Sequence, residues 1–278
     1  MLKQRVITAV VLLLVLLPAL FASDTRPFFG LTLLFIAAAG WEWARLNGAG
    51  ALASACFGAV VAAGGIWAWS GAGLVQPPGW LWSVALVLWV AGGTLALRGG
   101  VSAWPRLPGV LRLSIGPLLL WLAWLAMVEG RTRGLNFLLS TFCLVWMADI
   151  AAYFGGRAWG RRKLAPAISP GKSWAGVYTG MVGVLVLGAA WMLLDASGRT
   201  DAPSLFTLLW QRLGPAGWLF GCLFLAAMSV VGDLFESLIK RSVGAKDSSG
   251  LLPGHGGVLD RIDALLPVCP LALALIHA

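Results

Sequence analysis

The chain has 278 residues, 59% hydrophobic and only 11% charged, with a mean hydropathy of +0.87. A soluble domain carries about 25% charged residues, so the composition excludes a water-soluble globular domain and indicates an all-α, polytopic membrane protein. The formal net charge of +9 does not indicate nucleic acid, because the basic residues sit in short breaks between apolar runs, where they set topology and meet anionic lipid.

A bilayer-spanning helix needs about 20 mainly apolar residues. Nine such spans are predicted, at 5–22, 28–45, 51–70, 80–97, 110–129, 135–154, 173–194, 214–232 and 262–278. The first starts after Lys3 and Arg5; the many spans that follow argue against a cleaved signal peptide. Ser23-Asp24 and Arg26-Pro27 punctuate the first break, and Gln76-Pro77-Pro78-Gly79 the third. With the N-terminus cytoplasmic, only Arg26, Arg131, Arg133, Arg199 and Arg212 of the 20 Lys and Arg fall outside, the asymmetry expected of cytoplasmic loops. The chain then divides into N-terminal helices 1–134 and a C-terminal region 135–278, with charged cytoplasmic loops at 155–172 and 233–261.

Trp67, Trp69, Trp80, Trp82, Trp104 and Trp121 lie near predicted span ends, as an interfacial belt would place them. Gly64-Gly65 and Gly92-Gly93 suit close helix packing. Cys56, Cys143, Cys222 and Cys269 are isolated in apolar runs, a pattern of buried thiols and not of zinc ligands or disulfides.

The polar chemistry is concentrated in a few places. Glu42 lies in the second span with Arg45 three residues on, which suggests a local pair. Asp149 is an acid inside an apolar span, and such a residue is a site candidate by default. Arg157, Arg161, Arg162 and Lys163 follow, suited to topology or to an acidic lipid head group. Gly171-Lys172-Ser173 resembles the end of a Walker A loop. However, the first glycine of that motif would fall at Pro166, and no strand is predicted before it, so Lys172 is a phosphate contact without a P-loop.

Asp233, Ser237 and Lys240 share one face of a helix at spacings of four and three, and Glu236 and Lys240 are also four apart. Asp260 and Asp263 share a face near the start of the last span, where negative charge is favoured. These two acidic groups bracket a loop containing Lys246-Asp247-Ser248-Ser249 and Pro253-Gly254-His255-Gly256-Gly257. Its glycines let backbone N–H groups approach a phosphate. Its Lys and Arg residues balance phosphate charge, and His255 suits a phosphate contact or acid–base work. The whole segment asks for a divalent cation, a phosphate, or both.

At these residues the sequence resembles the phosphatidate cytidylyltransferase family. Ser237, Lys240, Arg241, Lys246, Asp247, His255, Gly256, Gly257, Asp260, Arg261 and Asp263 stand in register with that family's C-terminal signature, and Asp149, Tyr153, Ser169 and Lys172 with its upstream part. The match covers roughly 145–178 and 229–264, with Ser173 where a Thr is expected and Ala175 where a Glu or Gln is common.

The resemblance implies transfer of a cytidylyl group from CTP to phosphatidic acid with Mg²⁺ required, in a multi-pass protein of a bacterial-type inner membrane. It implies Asp233 and Asp260 as chief metal ligands, with Asp263 and Ser237 in support. Lys240, Arg241, Lys246 and His255 would handle phosphates, and Asp149, Ser169, Lys172, Asp247, Gly256, Gly257 and Arg261 would line the substrate site. No nucleic-acid partner is expected, and a homodimer is allowed. Two rivals are a secondary transporter coupled through Asp149 and Glu42, and a CDP-alcohol phosphotransferase, whose D-G-x-x-A-R pattern is absent.

Overall fold

The computed structural model describes residues 2–70 and 77–277. Gln76 and Ala278 lie outside the described residues, as do the side chains of Lys3 and Arg5. In chain order the helices are α1 (Leu2–Phe21), α2 (Arg26–Leu46), α3 (Ala51–Ser70), α4 (Trp80–Val87), α5 (Gly93–Gly99), α6 (Gly109–Arg133), α7 (Leu135–Trp159), α8 (Trp174–Ala196), α9 (Leu205–Ser242), α10 (Leu259–Ile262) and α11 (Leu265–His277). A π-turn at Leu88–Gly92 joins α4 and α5 into one rod, Trp80–Gly99.

Among the described residues seven helices are long and apolar enough to cross a membrane: α2, α3, the Trp80–Gly99 rod, α6, α7, α8 and α9. The count differs from nine at both ends of the chain. The apolar part of α1 is the shorter stretch Val6–Phe21. The predicted span 262–278 breaks at Asp263-Ala264, leaving α11 with 13 residues. At 1.5 Å per residue that helix is about 20 Å long, against a hydrocarbon core of about 30 Å. It is buried from Leu266 to Leu273, so its hydropathy reflects a protein core and not lipid contact. The predicted span 214–232 starts where it should, at the kink of Gly214 (φ 70°), which Pro215 follows. It then runs on as helix to Ser242, carrying Asp233, Glu236, Ser237, Lys240 and Arg241.

The all-helical expectation needs one correction. Residues 163–173 form an antiparallel hairpin, β1 (Lys163–Ala165) with β2 (Ser169–Ser173), pairing Lys163 with Ser173 and Ala165 with Ser169. A strand therefore does precede Lys172, although Pro166 still breaks the P-loop pattern. Ser173 ends the hairpin and caps α8, its Oγ accepting from Gly176 N at 3.2 Å.

Helix ends gather on two opposite sides. On one, Trp82, Arg133 and His277 converge on the buried Glu129, and Asn136, Asp195 and Ser204 join α7, α8 and the start of α9. On the other, Glu42 meets the chain at 248–259. Thr8 Oγ1 donates to Pro253 O at 2.8 Å, so the beginning of α1 lies beside the 243–258 loop. Arg131 holds the other end of α1 through the carbonyls of Leu20 and Ala22.

The tryptophans only partly form a belt. Trp67 and Trp80 are exposed, but Trp82 and Trp104 are buried, with their indole N–H groups satisfied by Glu129 and the Asn47 side chain. A buried Trp usually finds such a partner, although Trp89 Nε1 has none among the described residues. Trp43, Trp89 and Trp104 pack on Phe235 with ring centroids 5.5–6.1 Å apart, fixing the rotation of α9 in the core. A side chain on Gly64 or Gly65 would overlap Trp121 or Leu33, as close packing predicts, whereas Gly92 faces open space.

Candidate active site

α7 and α8 approach closely because small residues line their seam. A Cβ on Gly155 would overlap Thr179, and one on Gly176 or Gly180 would meet the α7 backbone. Thr179 Oγ1 donates to Ala151 O at 3.0 Å across the same seam. This packing sets the hairpin against α9. Lys172 Nζ there pairs with Asp233 Oδ2 at 2.6 Å, and Ser237 Oγ donates to Asp233 Oδ1 at 3.2 Å. A cavity of about 600 Å³ opens beside them, lined by Asp149, Tyr153, Arg157, Lys163, Lys172 and Asp233. Asp149 is exposed, and its accessible surface is the wall of this cavity. Arg161 and Arg162 lie outside it, with Arg162 over the Trp174 ring, and Ser169 opens β2 without lining it.

Behind Asp233 the charges are tightly organised. Lys240 lies between Glu236 and Asp260, with Nζ 2.5 Å from Asp260 Oδ1. Asp260 Oδ2 accepts from Ser248 N at 2.9 Å, Ser248 Oγ at 2.9 Å and Gly257 N at 2.7 Å. Burial alone would raise the Asp260 pKa. The Lys240 ammonium and the Gly257 N–H outweigh it and hold the carboxyl down at about 2. Asp260 is therefore a clasp for the loop. The Gly257 N–H expected to face a phosphate is committed to that clasp. Arg241 is turned the same way, donating to Ala245 O at 2.9 Å.

The loop itself folds on Leu252 and Gly256, which form an isolated bridge around Pro253-Gly254-His255. Gly254 (φ 76°) and Gly256 (φ 81°) hold the left-handed conformations that this turn needs. A second cavity of about 600 Å³ is lined by Lys246, Asp247, His255, Gly256 and Arg261, with Gln4 of α1 at its edge. His255 Nδ1 is buried without a partner among the described residues, and Arg261 donates to His255 O at 2.7 Å. The residues expected to form one site thus line two separate cavities.

Glu42 does not pair with Arg45, which stacks over Trp41 instead, its guanidinium carbon 4.6 Å from the ring centroid. Glu42 is fully buried and accepts four contacts from the far end of the chain. Oε1 takes Ser249 Oγ at 2.5 Å and Val258 N at 2.9 Å, and Oε2 takes Leu259 N at 2.7 Å and lies 3.1 Å from Ser248 Oγ, whose one O–H is shared with Asp260. It thereby satisfies the first N–H groups of α10 and fixes the helix that carries Asp260 and Asp263. A Cβ on Gly257 would collide with Ser248 Oγ and Glu42 Oε1. Gly257→Ala is therefore expected to lower turnover about tenfold at unchanged expression, measured as initial rate in detergent.

Among the described residues no group of three or more His, Cys, Asp or Glu is arranged to hold a metal ion. The expected trio is divided, because Asp260 is engaged by Lys240, Ser248 and Gly257. Asp233 and Asp263 remain. Gly232 brings α9 against the Asp263 backbone carbonyl so closely that any Cβ there would overlap it. The Asp233 carboxylate lies close enough to repel that of Asp263. Two carboxylates that repel each other, with Asp233 lining the cavity beside Lys163 and Lys172, fit a Mg²⁺ ion that takes one or two carboxylates and completes its shell with water and substrate oxygens.

A multi-helix membrane protein with an acidic pair and a Lys/Arg-lined cavity at one edge has the layout of a phosphate-ester transferase. Residues 3–278 match the Cytidylyltransferase family. The chain is 41% identical to a phosphatidate cytidylyltransferase of Pseudomonas aeruginosa, over 100% of this chain and 98% of that protein. It is 38% identical to the Haemophilus influenzae phosphatidate cytidylyltransferase over 97% and 96%, and 35% identical to that of Brucella suis over 97% and 91%. The chain belongs to the cytidylyltransferase family.

Proposed function

We propose that the protein is a phosphatidate cytidylyltransferase, converting CTP and phosphatidic acid to CDP-diacylglycerol and pyrophosphate. The observation that carries this reading is the cavity in which Lys172, Lys163 and Arg157 surround Asp233 and Asp149 at the edge of the membrane helices. A phosphatidate oxygen attacks the α-phosphorus of CTP in line, and the bond to the pyrophosphate oxygen breaks. Both reactants are polyanions, so the site must offset their repulsion and stabilise charge on the leaving group. Lys172, Lys163 and Arg157 supply that positive charge. The phosphate monoester is already ionised near neutral pH, so no dedicated base is needed.

Mg²⁺ held by Asp233 and Asp263 would polarise phosphate oxygens and neutralise charge as it forms. Asp260 and Lys240 position α10, so that Asp263 stays beside Asp233. His255, Lys246 and Arg261 offer a second place for phosphate oxygens, on the loop side.

The topology belongs to the same proposal. α1 and the segment 262–277 complete nine crossings with the N-terminus cytoplasmic, in a bacterial inner membrane. The position of Thr8 beside Pro253, on the side rich in Lys and Arg, supports it. A homodimer is part of the same proposal, and the mass of the protein in lipid nanodiscs measures it. The transferase reading is tested by incubating purified protein with labelled CTP, phosphatidic acid and Mg²⁺. Label in a chloroform-soluble nucleotide lipid is expected; label recovered only as CTP rejects the function.

A further inference from the structure

We infer that one acyl chain of the lipid substrate lies in the apolar groove between α1, α2 and α7, with the phosphate at its upper end, beside Arg261. This deepens the transferase reading and rests on it. The groove is lined by Leu12 and Leu16 of α1, Phe35 of α2, and Phe142 and Trp146 of α7. Arg261 and Leu252 close its top and also line the loop cavity with Lys246 and His255, so the apolar and cationic spaces share a wall. That is the polarity of an anionic phospholipid: hydrocarbon below, phosphate above.

Its depth agrees. The groove reaches Phe28 of α2, 14 residues before Glu42, which sits level with the start of α10. At 1.5 Å per residue it descends about 20 Å, comparable with one leaflet of a hydrocarbon core about 30 Å thick. α1 is held as a wall at both ends, by Thr8 on Pro253 and by Arg131 on the Leu20 and Ala22 carbonyls.

A single stripe of α7 links the groove to the reaction cavity. Phe142 and Trp146 face the groove, and Asp149, Tyr153 and Gly156 continue at spacings of three, four and three into the Lys172–Asp233 cavity. A head group at the top of the groove therefore lies along the route to Asp233. The other large apolar groove, between α4–α5 and α6, has no charged residue in its lining and nothing to hold a phosphate.

The test compares dioleoyl with dihexanoyl phosphatidate in detergent, using Leu16→Trp and Leu12→Trp to fill the groove. The ratio of kcat/KM for the long chain to that for the short chain should fall at least tenfold in each variant. A ratio within twofold of wild type overturns the assignment. An independent readout uses the wild-type protein and a phosphatidate with a diazirine in its acyl chain. Crosslinks within α1 or at Phe142–Trp146 support the groove, and crosslinks confined to α4–α6 overturn it. Failure of wild-type protein to turn over either phosphatidate would instead reject the transferase reading itself.

Discussion

Asp233→Asn is expected to lower kcat about a thousandfold while leaving the melting temperature in detergent within a few degrees of wild type. The side chain borders a cavity, pairs with Lys172 and takes a hydrogen bond from Ser237, and asparagine keeps its size. What it loses is charge, at the position where a cation and a polyphosphate must be brought together. A thousandfold loss is about 4 kcal/mol of transition-state stabilisation, within the range of electrostatic groups that act on developing charge.

Asp260→Asn should behave differently. Its carboxylate is enclosed by Lys240, Ser248 and Gly257, and breaking a buried pair costs about 3–5 kcal/mol. That variant should lose stability as well as rate. Because its folded pKa is depressed to about 2, the clasp is at full strength above the ordinary value of 3.8 and fades only as pH falls towards 2. Equal effects of the two substitutions on melting temperature, or near-normal turnover in Asp233→Asn at confirmed protein level, would reject the division between reacting and positioning aspartates.

The parts legible in the sequence were those encoded locally. Hydropathy located the long helices because lipid-facing and core-facing residues are both apolar. For α11 it could not separate the two causes: Leu266–Leu273 is apolar because protein surrounds it. Spacing correctly joined Asp233 to Ser237 and Glu236 to Lys240, since residues four apart on a helix touch wherever that helix lies. The hairpin at 163–173 was hidden. Its longer strand reads Ser-Pro-Gly-Lys-Ser, with no apolar alternation, and its partner has three residues. Partners distant in sequence were hidden too. Spacing could not show that Asp260 faces Lys240, or that the expected site residues would line two cavities. Glu42 is the clearest case. Arg45, three residues on, offered a local partner, whereas the groups it meets begin 206 residues later. The available signal was negative: a carboxylate amid apolar residues must be satisfied, and Arg45 had Trp41 beside it.

Glu42→Gln is accordingly expected to reduce kcat about a hundredfold although residue 42 lines neither polar cavity. Glutamine has the same shape but one acceptor oxygen, and its amide would direct N–H groups at a donor-rich pocket. Either Val258 N or Leu259 N then loses its partner, and a buried unsatisfied donor costs about 1–3 kcal/mol. Since those two groups begin α10, the cost falls on the helix that places Asp260 against Lys240 and Asp263 beside Asp233. Ser249→Ala removes only one of the four contacts and should cost about threefold. Hydrogen exchange separates positioning from bulk stability: the Val258 and Leu259 amides should exchange faster in Glu42→Gln while those of α7 and α8 keep their protection. Unchanged exchange at both positions alongside lost turnover would show that Glu42 acts in some way other than by holding α10.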